Sequence, residues 1–247
     1  MDIALIGYGK MGRIIEKMAL ERGHQVKLII DERNREQIEP DDLQGIDVAI
    51  DFSTPHAAIA NINLCFEADI PVVVGTTGWY DHLEEIKDAC LAGERSFLYG
   101  SNFSIGVNIF FHINKLLAKA INPYKQYDVQ VEEIHHTQKL DAPSGTAITI
   151  AEGIIENTEH KHSWVNNLIG EGEEIIPKND QLLIESHRID DVPGTHTVLY
   201  SSEVDQLEFK HTAHSRAGFA LGAVIAAEWL NGKKGFYNVT EMFNFSS

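Results

Sequence analysis

The sequence predicts an α/β protein in two parts: a doubly wound parallel sheet, and a second α+β domain with a mixed or antiparallel sheet. Three observations carry this. Short, nearly unbroken apolar runs alternate with helical patterns over the first hundred residues. A glycine-rich turn joins the first run to the first helix. After residue 100, longer strand-like runs follow one another without intervening helices.

The runs Ile3–Ile6, Val26–Ile30, Val48–Asp51, Val72–Val74 and Phe97–Tyr99 are rich in β-branched residues. Strands buried on both faces read as continuous apolar runs, because helices cover each face of a parallel sheet. The covering helices are predicted over Met11–Arg22, His56–Glu67 and Asp81–Ala92, joined through right-handed crossovers.

Beyond residue 100, Ile105–Ile121 reads as one long helix. Tyr127–His135 alternates, with Val129, Val131 and Ile134 set among Gln130, Glu132 and Glu133. A helix is predicted from Ser144 to Asn157, then strands over Leu182–Arg188, Thr195–Ser201 and Gln206–Thr212. Such strands suit a sheet with one wet face. The polar stretch Glu156–Asn179 reads as a long loop. Arg216–Trp229 is helical, and its many alanines and glycines allow close approach to another element. Together with the family resemblance below, this places it back on the first domain. The domains are therefore expected at 1–103 with 215–247, and at 104–214.

Of the 247 residues, 43% are apolar, which suffices for a core. Twenty Lys and Arg oppose 37 Asp and Glu, a net charge of −17. Such a chain repels phosphate backbones and anionic membranes, so neither nucleic acid nor membrane is an expected partner. Cys65 and Cys90 lack metal-ligand spacing and are expected as reduced core residues. The chain enters a strand at once, with no basic leader, and no apolar run nears the ~20 residues of a membrane span. A cytoplasmic protein is expected.

Gly7-Tyr8-Gly9-Lys10-Met11-Gly12 fits G-x-G-x-x-G between a strand and a helix, and Asp31 ends the second strand 19 residues after Gly12. Gly7 permits the tight turn, Gly9 lets backbone approach a pyrophosphate, and Gly12 lets helix and strand pack closely. The helix N-terminus offers free N–H groups to phosphate. This is a Rossmann-type dinucleotide signal. Asp31 can accept from ribose hydroxyls and favours NADH, while Arg33 and Arg35 offset its repulsion of a 2′-phosphate; NADH, NADPH or both are expected. Gly75-Thr76-Thr77 and Gly100-Ser101-Asn102-Phe103 follow the fourth and fifth strands, where open α/β sheets hold ligands. Asp51-Phe52-Ser53-Thr54 is a weaker candidate of the same kind.

A dinucleotide explains hydride transfer but not its acceptor. His135-His136-Thr137-Gln138-Lys139-Leu140-Asp141-Ala142-Pro143-Ser144-Gly145-Thr146-Ala147 addresses that. A hydride added to an imine-like acceptor leaves negative charge that needs a proton, and an imidazole can supply one near neutrality. Lys139 can polarise an imine or carboxylate, or donate a proton itself. The N–H groups of Gly145 and Thr146, opening a helix, form an anion seat. The combination suits a small dicarboxylate. No metal is expected, since adjacent histidines on an extended chain point to opposite sides.

The segment His-His-x-x-Lys-x-Asp-Ala-Pro-Ser-Gly-Thr-Ala resembles the signature of the 4-hydroxy-tetrahydrodipicolinate reductase (dihydrodipicolinate reductase) family. The Gly7–Gly12 loop, the Gly75-Thr76-Thr77 turn, the run Ser101–Asn108 and the Gly235-Phe236-Tyr237 ending resemble it in the same order. The resemblance implies NADH- or NADPH-dependent reduction of 4-hydroxy-tetrahydrodipicolinate to tetrahydrodipicolinate with loss of water, in lysine and diaminopimelate synthesis. It also implies a cytoplasmic homotetramer built through the second-domain sheets, and a first domain completed by the C-terminal helix.

Position by position, it implies His135 as proton donor and acceptor, and Lys139 as proton donor. His136 becomes a substrate contact, and Gly145 with Thr146 the carboxylate seat. Gly7, Tyr8, Gly9, Lys10, Met11, Gly12, Asp31, Gly75, Thr76, Thr77, Ser101, Asn102 and Phe103 become nucleotide contacts. The stretch Arg188–His196 departs from the family, carrying two acids and a proline where the pattern has glycines.

The two domains are expected to close about hinges near Phe103–Ser104 and Ala213–Arg216 before hydride transfer. Two alternatives stand beside this reading. One is a nucleotide-dependent reductase of another small dicarboxylate, which turnover of dipicolinate analogues would separate. The other is a non-catalytic nucleotide sensor, which would have no need of Lys139.

Overall fold

The computed structural model describes residues 1–170 and 175–245. Contacts divide the chain into two compact units: Met1–Ile105 with Arg216–Ser247, and Gly106–Ser215.

Unit 1 holds β1 (Asp2–Ile6), α1 (Lys10–Glu21), β2 (Gln25–Ile30), β3 (Val48–Asp51), α2 (Pro55–Glu67), β4 (Val72–Val74), α3 (Leu83–Ala92) and β5 (Ser96–Tyr99). Chain order resumes there, after unit 2, with α6 (Ala217–Leu230) and β11 (Gly235–Asn238). Its six strands run in the order β11-β5-β4-β3-β1-β2, every pair parallel. Alternate residues feed two cores. Ala4, Ile6, Ala49, Val72, Val74 and Phe97 pack with Ile62, Cys65, Ile86 and Cys90 of α2 and α3. Ile3, Leu5, Val48, Ile50, Val73 and Leu98 pack with Ile15, Ala19, Ala223 and Ala227 of α1 and α6. Both cysteines are free and buried. Burial pushes the Cys65 thiol far above its usual range and that of Cys90 up to about 11, so each packs as a neutral small apolar group.

The small residues of α6 have a direct use. A Cβ on Gly222 would lie 1.7 Å from the carbonyl oxygen of Phe103. The closing strand β11 was not foreseen: Gly-Phe-Tyr-Asn is too short to show a period, and it becomes a strand by pairing with β5.

Unit 2 takes in α4 (Ile105–Ile121) from Gly106 onward, β6 (Asp128–His135), α5 (Gly145–Ile155), β7 (Ser163–Leu168), β8 (Gln181–Arg188), β9 (Thr195–Ser201) and β10 (Gln206–Thr212). The sheet order is β10-β9-β6-β8-β7. β9 is antiparallel to β10 and β6, and β8 is parallel to β6 and β7. The sheet is therefore mixed. One face packs on α4 and α5 through Phe110, Ala118, Val129, Val131, Ile150, Ile154, Ile184 and Val198.

Two expectations are corrected here. The stretch 156–179 is not all loop: Ser163–Leu168 forms β7, an edge strand whose polar sequence hid it and which β8 pairs in register. Residues 171–174 of that stretch lie outside the described residues. In β6 the inward residues are Val129, Val131, Glu133 and His135, while Ile134 faces the other way. A carboxylate thus occupies a core-facing position, and the site explains how.

Among the described residues, no helix is long and apolar enough to cross a membrane.

Candidate active site

In a wholly parallel sheet every carboxyl end lies along one edge. The predicted nucleotide residues follow four such ends. Gly7–Gly12 follow β1, Asp31 follows β2, Gly75–Thr77 follow β4, and Ser101–Phe103 follow β5.

The glycines differ in what holds them. Gly7 has φ +90°, and a Cβ there would sit 2.3 Å from the carbonyl oxygen of Phe52. A Cβ on Gly12 would lie 2.2 Å from the carbonyl oxygen of Gly7. Gly9 caps α1, and a Cβ on it would meet nothing within 4 Å. Gly7 and Gly12 are thus fixed by the fold, whereas Gly9 leaves open space over the first turn of α1. That is the fit a pyrophosphate needs.

The other nucleotide candidates are committed to different degrees. The Tyr8 hydroxyl donates to Glu16, and Arg13 lies 4.9 Å over the Tyr8 ring. Lys10 is exposed, and Met11 packs against the α1–α6 core. Asp31 accepts from the Arg33 backbone N–H at 2.9 Å and from its guanidinium. Those bonds hold the Asp31 carboxyl below the usual range.

Thr76 is buried, with its hydroxyl donating to Asp51, while Thr77 is exposed. Gly75 is required because a Cβ would strike the Phe52 ring at 2.2 Å. Ser101 is exposed, and Asn102 accepts from the Ser104 N–H at 2.9 Å. Phe103 is a core residue packed on Phe52.

In unit 2 the sequence-predicted residues are gathered by Glu133 and Arg188, neither of which the sequence reading gave a role. Glu133 is fully buried, two residues before His135 and so on the same strand face. Its Oε2 lies 2.5 Å from His135 Nδ1. Neither atom has a partner in hydrogen-bond geometry, so the contact is a close approach of carboxylate oxygen to ring nitrogen. Glu133 Oε1 accepts from the Ser144 N–H and from Arg188 Nη2, each at 3.2 Å. Arg188 Nη2 also donates to the Asp141 carbonyl at 2.7 Å. The Asp141 carboxylate in turn takes Lys139 Nζ at 2.8 and 2.7 Å. Ser144 caps α5, accepting from the Ala147 N–H. Gly145, exposed, and Thr146, half-buried, open that helix, and a Cβ on Gly145 would meet nothing within 4 Å. His135, Lys139 and the Gly145–Thr146 turn are therefore parts of one network centred on Glu133 and Arg188. His136 is half-buried beside it, its Nδ1 without a hydrogen-bond partner.

Burial alone would raise the Glu133 carboxyl. The contacts from His135, Ser186 and Ser144 outweigh it and hold the group well below the usual carboxylate range. His196 stands opposite Glu133 across the β6–β9 pair. Its ring centroid is 5.1 Å from that of His135, and its Nε2 is 3.1 Å from Ser144 Oγ. Burial, reinforced by His135, pushes its pKa down to about 3, so it stays neutral. Sequence pattern held one usable signal for Glu133, the i, i+2 relation to His135. Arg188 and His196 bound the stretch that departs from the family pattern, but their places in the cluster come from strand pairing.

This pair sets a pH dependence. An unfolded histidine takes a proton near pH ~6.5, whereas folded His196 resists until about 3. Between these values the unfolded chain binds more protons, so stability falls as pH falls. Glu133 acts the same way in a lower window. Its contribution is complete above the unfolded value of about 4.3 and is lost as pH drops through the folded one. Urea titrations should show unfolding free energy dropping between pH 6 and 4, with His196 contributing up to about 1.4 kcal/mol per pH unit. His196→Gln should flatten that slope; an unchanged slope would refute the assignment.

Glu133, His135 and His196 each offer a donor atom within 4.8 Å of the others. The Arg188 guanidinium already on Glu133 and the 2.5 Å carboxylate–imidazole contact oppose a metal there. The carboxylate is already engaged, and an added cation would face the fixed guanidinium of Arg188.

Fold and site together define a class: a two-unit oxidoreductase with a Rossmann-type nucleotide-binding unit. The family model for the N-terminus of dihydrodipicolinate reductase matches residues 1–103, and that for its C-terminus matches residues 106–243. A 4-hydroxy-tetrahydrodipicolinate reductase from Christiangramia forsetii is 46% identical over 246 residues, covering 99% of this chain and 98% of its own. One from Methanococcoides burtonii is 38% identical over 74% of this chain and 67% of its own. A solved dipicolinate-bound dihydrodipicolinate reductase from Paenisporosarcina sp. TG-14 shares the fold with a TM-score of 0.79 at 23% identity, covering 98% of this chain and all of its own. The chain belongs to the dihydrodipicolinate reductase family.

Proposed function

We propose that the protein reduces 4-hydroxy-tetrahydrodipicolinate to tetrahydrodipicolinate, with loss of water, in lysine and diaminopimelate synthesis. The observation that carries this is the Glu133–Arg188 network, which joins imidazole, ammonium and helix N-terminus in one unit of a chain that matches the family over residues 1–103 and 106–243.

Unit 1 takes the role of nucleotide domain. The first turn of α1 after Gly9 would hold the pyrophosphate, and Asp31 the adenosine ribose. The Gly75–Thr77 and Ser101–Phe103 turns would line the nicotinamide end. The buried Thr76 and Phe103 side chains leave their backbone, with Thr77 and Ser101, to make contact. The nicotinamide supplies a hydride when bound.

Unit 2 takes the role of substrate domain. Gly145 and Thr146 N–H groups seat one substrate carboxylate, with His136 beside it. Loss of the ring hydroxyl as water leaves a conjugated imine. The hydride enters that system, the displaced electron pair takes one proton, and His135 with Lys139 supplies it. Lys139 must exchange Asp141 for substrate to do so. Reaction requires the two bound molecules to be brought together, which gives the linkers near 103–106 and 213–216 a hinge role.

Asp31 paired with Arg33 presents a neutralised carboxylate to the ribose, so both nucleotides are proposed as cofactors. The proposal extends to a cytoplasmic homotetramer through the unit 2 sheets, whose face away from α4 and α5 carries half-exposed Ile134, Leu183 and Leu199. Sedimentation should then give four times the 27.6-kDa chain; a monomer mass would refute it.

The functional test is steady-state kinetics on the substrate generated in situ, with each nucleotide. Turnover with both, at kcat/KM values within about tenfold (some 1.4 kcal/mol), is expected. Oxidation of neither nucleotide would overturn the proposal.

A further inference from the structure

The geometry points to Glu133 as the residue that positions His135 for proton transfer. It grips the imidazole by Nδ1 and leaves Nε2 as the proton-carrying edge.

This deepens the reductase reading and rests on it. Glu133 comes within 2.5 Å of Nδ1 and is itself immobilised. It lies at zero exposure in the middle of β6, with Ser144 N–H and Arg188 on its other oxygen. A carboxylate so held fixes which ring nitrogen bears the non-reacting proton and where the ring points. The opposite edge of the ring is shaped as well. Gly194 has φ +153°, and a Cβ there would come 3.0 Å from His135 Nε2, so glycine keeps side-chain bulk off that edge. The charged and titratable groups facing His135 are Glu133 on its own strand, His196 on β9 and Arg188 on β8. His196 remains neutral, which leaves Glu133 as the anionic partner of the ring.

Glu133→Gln tests this with little change in shape. The glutamine Oε1 can still accept from Ser144 and Arg188, while the charge is lost and Nδ1 meets an amide donor in place of an acceptor. We expect kcat to fall about 100-fold. Affinity for pyridine-2,6-dicarboxylate, used as an unreactive probe, should stay within about threefold. In a His135→Gln background the same substitution should cost almost nothing further, because the two residues act as one unit. Equal losses of kcat and probe affinity, or full additivity in the double variant, would mean a scaffolding role and overturn the proposal. So would turnover within about twofold of wild type.

A second measurement needs no Glu133 variant. Nitrogen-15 histidine NMR of the native enzyme, with His135 assigned by its loss in His135→Gln, should find Nδ1 protonated. A bare Nδ1 would overturn the proposal. That arm decides the Glu133–His135 link even if the enzyme turns over no dicarboxylate, which would instead sink the reductase reading.

Discussion

Replacing His135 or Lys139 by alanine should lower kcat by about two to four orders of magnitude while nucleotide affinity holds within a few fold. Both residues belong to unit 2, whereas the strand ends that would carry the nucleotide belong to unit 1, so binding and chemistry should separate. The losses should differ in kind. His135→Ala empties a nearly buried position beside the fully buried Glu133 and leaves that carboxylate without its imidazole, so some stability should go with the rate. Lys139 is paired only with the exposed Asp141, and its removal should leave stability nearly unchanged. Turnover and nucleotide titration on both variants, with melts alongside, read this out. Unchanged turnover in both would refute the assigned roles, and loss of nucleotide affinity in both would place the nucleotide elsewhere.

The second large effect lies in the glycine turn. Gly12→Ala must push the α1 backbone off the Gly7 carbonyl, because a Cβ there sits 2.2 Å from it. Overpacking against backbone costs about 1–3 kcal/mol, so thermal stability and nucleotide affinity should fall together. Gly9→Ala meets no protein atom. Its melting temperature should match wild type, while nucleotide affinity drops about 10- to 100-fold if pyrophosphate lies where the turn is open. Calorimetric titration with NADH and NADPH distinguishes these outcomes. Full affinity in Gly9→Ala would place the pyrophosphate somewhere other than over this turn.

Legibility in the sequence tracked how local the deciding physics was. β1, α1 and β2 were readable because apolar period, glycine turn and terminal acid lie within about thirty residues and each has its own reason. The return of α6 to unit 1 follows from the family resemblance together with its small residues, and Gly222 against Phe103 shows what those residues permit. β7 and β11 were hidden because neither Ser-Trp-Val-Asn-Asn-Leu nor Gly-Phe-Tyr-Asn carries a strand period; each exists by pairing with a neighbour.

The candidate site divides in the same way. His135, Lys139 and the α5 turn stood out as one contiguous segment. Glu133 stands in the sequence only as one polar residue among Val129, Val131 and Ile134, and a core-facing carboxylate is costly alone. The groups that offset the cost, Ser144 and Arg188, lie 11 and 55 residues away. His196 reaches the cluster only through the β6–β9 register. The pairing of Lys139 with Asp141, two residues apart, depends on the turn between them, which no period announces.

The proposed reaction comes down to one transfer, a hydride from nicotinamide to the cyclic dicarboxylate. Turnover with nicotinamide deuterated at its transferable position, followed by mass spectrometry of the product, measures it directly. The account predicts one deuterium in tetrahydrodipicolinate for each nucleotide oxidised, with the reaction collapsing in His135→Ala. Product free of deuterium, or nucleotide oxidised without any change in the dicarboxylate, would contradict it.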